Sequence, residues 1–407
     1  MTETIFVQIA SYRDPELLPT LKDLFDKAKH PDNLHVCIAW QHNPQDKWDN
    51  LKLYENDNRV TILDIDYSTS KGACWARNLI QQEYKGETYT LQLDSHHRFT
   101  QDWDVLCIDM VKSLQKLGHQ KPLLTSYIPS YNPENEPDGR VNVPWGMSFD
   151  RFTPEGIVFF LPYYIEDKTL TPQRARFYSA HFAFTLGEHC IEVQHDPEYY
   201  FHGEEITLAV RSFTHGYDLF YPNKVIAWHE YTRNGRTKQW DDDSTWNDKN
   251  LKCHAKVRSL LNVDGENEII EEKYGLGNVR SLQEYETYAG INFKDRSITQ
   301  KCKDNIPPPG SPDDIFYQTF KEIVSFSHTN FKENDYTFCA VICEDEENNS
   351  LHREDIDGNM FNSGIQSTKE GREFTRWITY QGPKPHHIVS WAHSESKGWC
   401  EKITRVL

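Results

Sequence analysis

Apolar and polar positions along the first third of the chain switch between two periods. Residues 5–10 form a short apolar, β-prone run. Residues 17–29 then place Leu17, Leu18, Leu21, Leu24, Phe25 and Ala28 on one helical face, with Pro19 tolerable only because it falls in the first turn. Strand-like runs follow at 34–40 and 60–66. A helix over 73–83 is entered through Gly72. A fourth strand over 88–93 ends at Asp94-Ser95-His96, and a helix over 103–117 and a strand over 123–127 complete the pattern. Alternation of this kind predicts an α/β fold with a mostly parallel sheet covered on both faces. In such sheets the ligand sits beyond the carboxyl ends of the strands.

The pattern loosens after that. Residues 132–146 are polar and rich in Pro and Gly, and read as a loop. Residues 177–186 return to a β-like run, 204–213 are helical, 225–229 form a short strand ending in a His, and 246–261 are helical. Three successive prolines, Pro307 to Pro309, cannot continue a helix or a central strand and mark a boundary. The expected units are a domain over 1–300, a linker over 301–312 and a module over 313–407. β-rich runs at 336–343, 374–380 and 387–392 make that module all-β and sandwich-like.

Composition narrows the class. Of 407 residues, 37% are hydrophobic and 26% charged, which is a globular balance. A net charge of −18 excludes general binding of nucleic acid or of anionic membranes, both of which need basic surface. Acidic clusters do hold divalent cations. No run approaches the roughly 18 apolar residues that span a bilayer, and the first residues lack the basic, then apolar, pattern of an export signal. The nine cysteines never form a C-x-x-C pair and read as reduced, buried thiols. The expected compartment is the cytoplasm.

Four segments carry candidate chemistry. In Leu91-Gln92-Leu93-Asp94-Ser95-His96, a strand ends in Asp-x-His, and residues two apart on a strand point the same way. Asp94 and His96 can therefore reach one cation. A carboxylate with an imidazole suits Mn²⁺ or a similar divalent metal, although a strand end with a surface Asp is the bland alternative. In Phe201-His202-Gly203-Glu204-Glu205, two carboxylates open a helix, where its dipole favours them. One of them can also accept a proton from a bound hydroxyl. In Ala227-Trp228-His229-Glu230-Tyr231, His229 is either a buried structural histidine or a third metal ligand from a distant segment. In Lys71-Gly72-Ala73-Cys74-Trp75-Ala76-Arg77-Asn78, a helix N-terminus flanked by Lys71 and Arg77 can receive phosphate charge. The Walker, G-x-G-x-x-G and G-x-S-x-G spacings are absent.

Taken in order, S-Y-R-D, K-G-x-x-x-A-R-N, L-D-S-H, G-E-E-I and W-H-E-Y resemble the polypeptide N-acetylglucosaminyltransferases that act on hydroxyproline of a Skp1-type protein. They are similar, too, to the metal core of the mucin-type polypeptide GalNAc-transferases. The likeness spans residues 4–293. It implies a GT-A fold, a UDP-sugar donor (UDP-GlcNAc first), a divalent cation (Mn²⁺ ahead of Mg²⁺), and transfer with retention onto a hydroxyl of a protein or glycan acceptor. By the same likeness Asp94, His96 and His229 become metal ligands. Ser11, Arg13 and Asp14 lie near the nucleotide, with Lys71 and Gly72, and Arg77 lies near the diphosphate or the sugar. Glu204 and Glu205 lie beside sugar and acceptor, and Ser179 and His181 wall the sugar pocket. A metal-dependent hydrolase and a non-catalytic carbohydrate-binding protein are the rival readings.

Overall fold

The computed structural model describes residues 3–165, 171–232, 235–263, 268–328, 335–369 and 371–407. The chain divides into two compact units. One is Met1–Lys294 with Asp304–Asp314, the other Asp295–Lys303 with Ile315–Leu407.

The first unit opens with β1 (Ile5–Tyr12), α1 (Leu17–Lys27), β2 (Leu34–His42), β3 (Val60–Asp66), α2 (Ala73–Gln81) and β4 (Tyr89–Asp94). Next come β5 (His97–Phe99), α3 (Trp103–Lys116), β6 (Pro122–Thr125) and a hairpin of β7 (Trp145–Phe152) and β8 (Val158–Tyr164). The unit continues with β9 (Gln173–Arg174), β10 (Phe182–Leu186), α4 (His189–Glu192), α5 (Glu204–Thr214), β11 (Asp218–Tyr221) and β12 (Ala227–His229). It ends with α6 (Gln239–Asp242), α7 (Trp246–Leu260) and α8 (Leu282–Ala289).

Eight strands form one sheet in the order β3-β2-β1-β4-β10-β6-β11-β9. The first four are mutually parallel, as are β6 and β11, while β10 runs antiparallel between β4 and β6. Alternate residues of β1 explain the apolar run, which only Gln8 interrupts. Ile5, Val7 and Ile9 pack with Leu21 and Leu24 of α1 and Trp103 and Val111 of α3. Phe6 packs on the opposite face with Ala76 and Ile80 of α2 and Cys190 of α4. A strand buried on both faces has no polar side to alternate with. Pro19 is the third residue of α1, where its missing N–H breaks no intrahelical bond.

Two expectations shift. The run expected over 177–186 pairs as a strand only from Phe182, because the Ser179 N–H goes to Thr125 Oγ1 at 2.7 Å and the Ala180 N–H to Glu205 Oε1 at 2.9 Å. The loop over 132–146 gives way at Trp145 to the β7–β8 hairpin.

In the second unit, Ser297–Thr299, Phe316–His328, Gly371–Gln381 and Ile365–Thr368 form one antiparallel sheet. Ser350–Asp357, Tyr336–Glu344 and His387–Ser394 form another, with Gly398–Trp399 and Ile403–Val406 paired to the last of these. Phe326, Val341, Ile356, Phe361, Phe374 and Ile388 belong to one core that both sheets share. The proline run belongs to the first unit, where the Gly310 N–H bonds the Tyr288 carbonyl at 3.0 Å. Among the described residues no helix is long and apolar enough to cross a membrane. All nine cysteines are free thiols, and only Cys400 is not buried.

Candidate active site

The site forms where β1 and β4 end. Ala10 of β1 lies opposite Asp94, the last residue of β4. The chain turns there and pairs β5 antiparallel with β12, which sets His229 across from His97. Backbone bonds lock this return: His229 N–H to the Pro129 carbonyl at 2.9 Å and Glu230 N–H to the His96 carbonyl at 3.1 Å. A residue 133 positions further on (229 against 96) is thereby delivered to the Asp-x-His turn.

Asp94, His96 and His229 converge. One ligand atom from each lies within 4.8 Å of the others. His96 Nε2 is 3.7 Å, and His229 Nε2 3.5 Å, from Asp94 Oδ2. Both ring nitrogens of His229 are buried without a hydrogen-bond partner among the described residues. Burying a polar atom without a partner is costly, so the orphaned imidazole is an observation that points to a ligand. One carboxylate and two imidazoles suit a first-row divalent cation. The donor set therefore fits the metal. Burial works against charge on Asp94, but His229, Arg77 and His96 outweigh it and hold the carboxyl well below the usual range. Burial, against the pull of Asp94 and helped by the neighbouring His96 and His97, keeps His229 neutral, the form that binds metal.

Behind this cluster lies a second one. Arg77, in α2 and 3% exposed, places Nη2 at 2.6 Å from Asp94 Oδ1 and Nη1 at 3.8 Å from Glu204 Oε1. Glu204 and Glu205 open α5. Burial, then repulsion from Glu205, pushes Glu204 up to about 8, with Arg77 pulling back. Burial pushes Glu205 up to about 7, tempered by the Ala180 N–H and by the Tyr127 hydroxyl at 2.7 Å. Two half-buried carboxyls with pKa values this close to neutrality are suited to proton exchange with a hydroxyl.

The other sequence candidates fall into two groups. His181 stacks on His229 with ring centroids 4.2 Å apart, and its Nε2 meets Tyr231 Oη at 3.2 Å. Ser179 is buried on the approach to β10. Gly72 is the N-cap of α2 at φ 106° and lines the pocket beside Asp94. A Cβ there would stand 3.2 Å from the Tyr200 ring. Asp14 lines the same pocket and bonds His96 Nδ1 at 2.7 Å. Ser11 is buried, and its carbonyl accepts from Gln41 Nε2 at 3.1 Å. Arg13 and Lys71 stand apart. Arg13 is paired with Asp46 at 2.8 Å and Asp242 at 2.9 Å, and Lys71 is exposed over the Trp75 ring.

Sequence reasoning missed the segment around α6. Arg236, Thr237, Lys238, Gln239 and Trp240 line the pocket together with Tyr12, Tyr200 and Phe201. Arg236 Nη1 lies 2.9 Å from Asp14 Oδ2, and Asp242 accepts the Tyr12 hydroxyl at 2.7 Å. A run of mixed charge such as R-T-K-Q-W-D-D-D reads locally as plain surface.

The family described as Glycosyltransferase (GlcNAc) matches this chain over residues 4–57 and 47–295. The chain belongs to that glycosyltransferase family. No curated protein matches it in sequence. Among solved structures, GalNAc-T7 with UDP, GalNAc and Mn²⁺ is similar at 13% identity and a TM-score of 0.49, over 100% of this chain and 79% of that one. TarS 1–349 of S. aureus with UDP-GlcNAc is similar at 12% identity and a TM-score of 0.39, over 66% of this chain and 68% of that one. The family covers the whole β1–β4 and β12 assembly that carries the site, and the module beyond residue 314 lies outside it.

Proposed function

We propose that the protein is a metal-dependent nucleotide-sugar transferase of the GT-A type. It moves GlcNAc from UDP-GlcNAc, with retention, onto a hydroxyl of a protein or glycan acceptor, hydroxyproline, Ser and Thr among them. The observation that carries this is the convergence of Asp94, His96 and His229 beside a pocket at the carboxyl ends of β1 and β4. A divalent cation held there, Mn²⁺ first and Mg²⁺ second, would neutralise the departing diphosphate and act as a Lewis acid.

The chain's own residues supply the rest. Arg77 is a fixed cation bonded to Asp94, and it stabilises negative charge that builds on the leaving group. Glu204 and Glu205 sit behind it, where one carboxyl can take or polarise the acceptor proton. His181 and Tyr231 pack on the His229 ring and hold it in place. The N-terminus of α2, at Gly72 and Ala73, faces the pocket and favours phosphate. Free thiols throughout agree with a reducing compartment, and we place the protein in the cytoplasm. Family membership sets the hydrolase and the carbohydrate-binding readings behind this one.

Calorimetric titration with UDP-GlcNAc, UDP-GalNAc and UDP-glucose, each with Mn²⁺ and with EDTA, tests the reading. Tight binding of UDP-GlcNAc only in Mn²⁺ is the expected result. Folded protein that binds none of the three overturns it.

A further inference from the structure

The family likeness implies that Asp14 lies near the nucleotide. Its carboxylate is already committed. Oδ1 accepts the backbone N–H of Glu16 at 2.9 Å. Oδ2 receives the Ser95 hydroxyl at 2.7 Å, His96 Nδ1 at 2.7 Å and Arg236 Nη1 at 2.9 Å. A carboxylate offers about four lone-pair sites, and four donors meet this one. Three of the four fall on Oδ2, and with 8% of the residue exposed the carboxylate is largely taken up by the protein itself.

We propose that Asp14 is the positioning residue of the metal centre, fixing the tautomer and ring direction of His96. The proposal rests on the metal site argued above. A neutral imidazole has one N–H. Two acceptors do not face each other at 2.7 Å, so the hydrogen is on Nδ1, toward Asp14. The Nε2 lone pair is then directed to the side where Asp94 Oδ2 lies, 3.7 Å away. Metal-bound histidines are commonly held in this way, with a carboxylate taking the second ring N–H and raising ligand basicity. Asp14 is itself immobile, tied to the start of α1 through Glu16, to the β4–β5 turn through Ser95 and to the pocket segment through Arg236. Arg236 Nη1 also lies against His96 Nδ1, and both point at the same Asp14 oxygen. The ligand geometry thus exists before any cation arrives.

The test is Asp14→Asn in the full chain. The substitution keeps the shape. The Glu16 N–H holds the amide oxygen at the Oδ1 position, which turns the NH₂ toward His96 Nδ1. The NH₂ cannot accept the Nδ1–H, so the ring loses its anchor and the Nε2 lone pair is no longer held on the metal side. Mn²⁺ affinity, measured by calorimetry with UDP present, should fall about 10- to 100-fold. UDP affinity in EDTA should fall by less than Mn²⁺ affinity does, since Asp14 also holds Arg236 at the pocket. In a His96→Gln background, Asp14→Asn should cause no further loss, because residues acting through one group are not additive.

Wild-type Mn²⁺ affinity in Asp14→Asn overturns the proposal. So does a loss of UDP affinity in EDTA with Mn²⁺ affinity intact, which would make Asp14 a nucleotide contact. Losses that multiply in the double variant overturn it as well. Wild-type protein that binds no Mn²⁺ with UDP sinks the metal site first, and this inference with it. If Asp14→Asn does not fold, ¹⁵N-histidine spectra of the wild type read the His96 tautomer directly. A proton on Nδ1 supports the proposal and one on Nε2 ends it.

Discussion

Arg77 Nη2 lies 2.6 Å from Asp94 Oδ1, and the guanidinium has 3% of its surface exposed. Asp94 therefore has two tasks, balancing a buried cation and offering its other oxygen to a metal. Removing one member of a buried pair leaves an uncompensated charge, at a cost of about 3–5 kcal/mol. Asp94→Ala should lose about 3 kcal/mol of stability in EDTA at the low end of that range. Asp94→Asn keeps an oxygen for Arg77 and should lose less. Both variants should fail to bind Mn²⁺. Urea unfolding in EDTA and a Mn²⁺ titration check the pair. Equal stability of the two variants would show that Arg77 does not depend on the Asp94 oxygen.

Metal should stabilise the fold through the same ligands. Asp94, His96 and His229 meet only in the folded chain, from β4, the turn after it and β12. A ligand that binds only the folded state at 100 times its Kd adds about 2.7 kcal/mol. At about 2–4 °C per kcal/mol for a domain of 150–250 residues, the melting temperature should rise by several degrees in Mn²⁺ over EDTA. His229→Gln should abolish that rise. Differential scanning calorimetry measures both, and a rise that survives His229→Gln would place the ion elsewhere.

Glu204 gives the fold a pH dependence opposite to that of a salt-bridged carboxylate. Its pKa, about 8 in the folded metal-free protein, stands above the ordinary glutamate value of 4.5. Below 4.5 both folded and unfolded states hold the proton and nothing is lost. Between 4.5 and 8 only the unfolded state releases it, so stability falls as pH rises; above 8 the loss is complete. Glu204→Gln cannot ionise. Its melting temperature in EDTA, relative to wild type, should climb between pH 4.5 and 8 and then level off. A difference that is flat across that window would show that Glu204 ionises freely in place.

The elements that were legible in the sequence owe it to local burial. β1 and β2 are covered on both faces and read as plain apolar runs, and α1 shows its buried Leu17, Leu21 and Leu24 at helical spacing. The Asp94–His96 turn could be read because both residues lie on one stretch. The hairpin escaped because a register shift between Phe149 and Arg151 breaks the alternation of β7 and Pro162 interrupts β8. α8 carried a usable signal in Ser281 and Glu284, which form its capping box. Arg236 carried none. Its partner Asp14 is 222 residues away, and no local pattern records a bond of that span.

Gly203 sets the direction in which Glu204 and Glu205 enter the site. It caps α5 at φ 108°, a conformation that side chains rarely adopt, and a Cβ there would stand 2.6 Å from Val257 Cγ2 of α7. Two separable costs follow for Gly203→Ala. The left-handed backbone costs about 1–3 kcal/mol, and the clash forces α5 away from α7. Pairing the substitution with Val257→Ala removes the clash and leaves the backbone cost. Gly203→Ala should therefore be the less active of the two as a transferase. The double variant should recover turnover, because Glu204 returns to its place beside Arg77, even though the cavity left by the shortened Val257 keeps its stability low. Steady-state kinetics and urea unfolding on both variants separate the two effects. Recovery of stability without recovery of kcat would mean that the contact with Val257 does not govern where the two carboxylates stand.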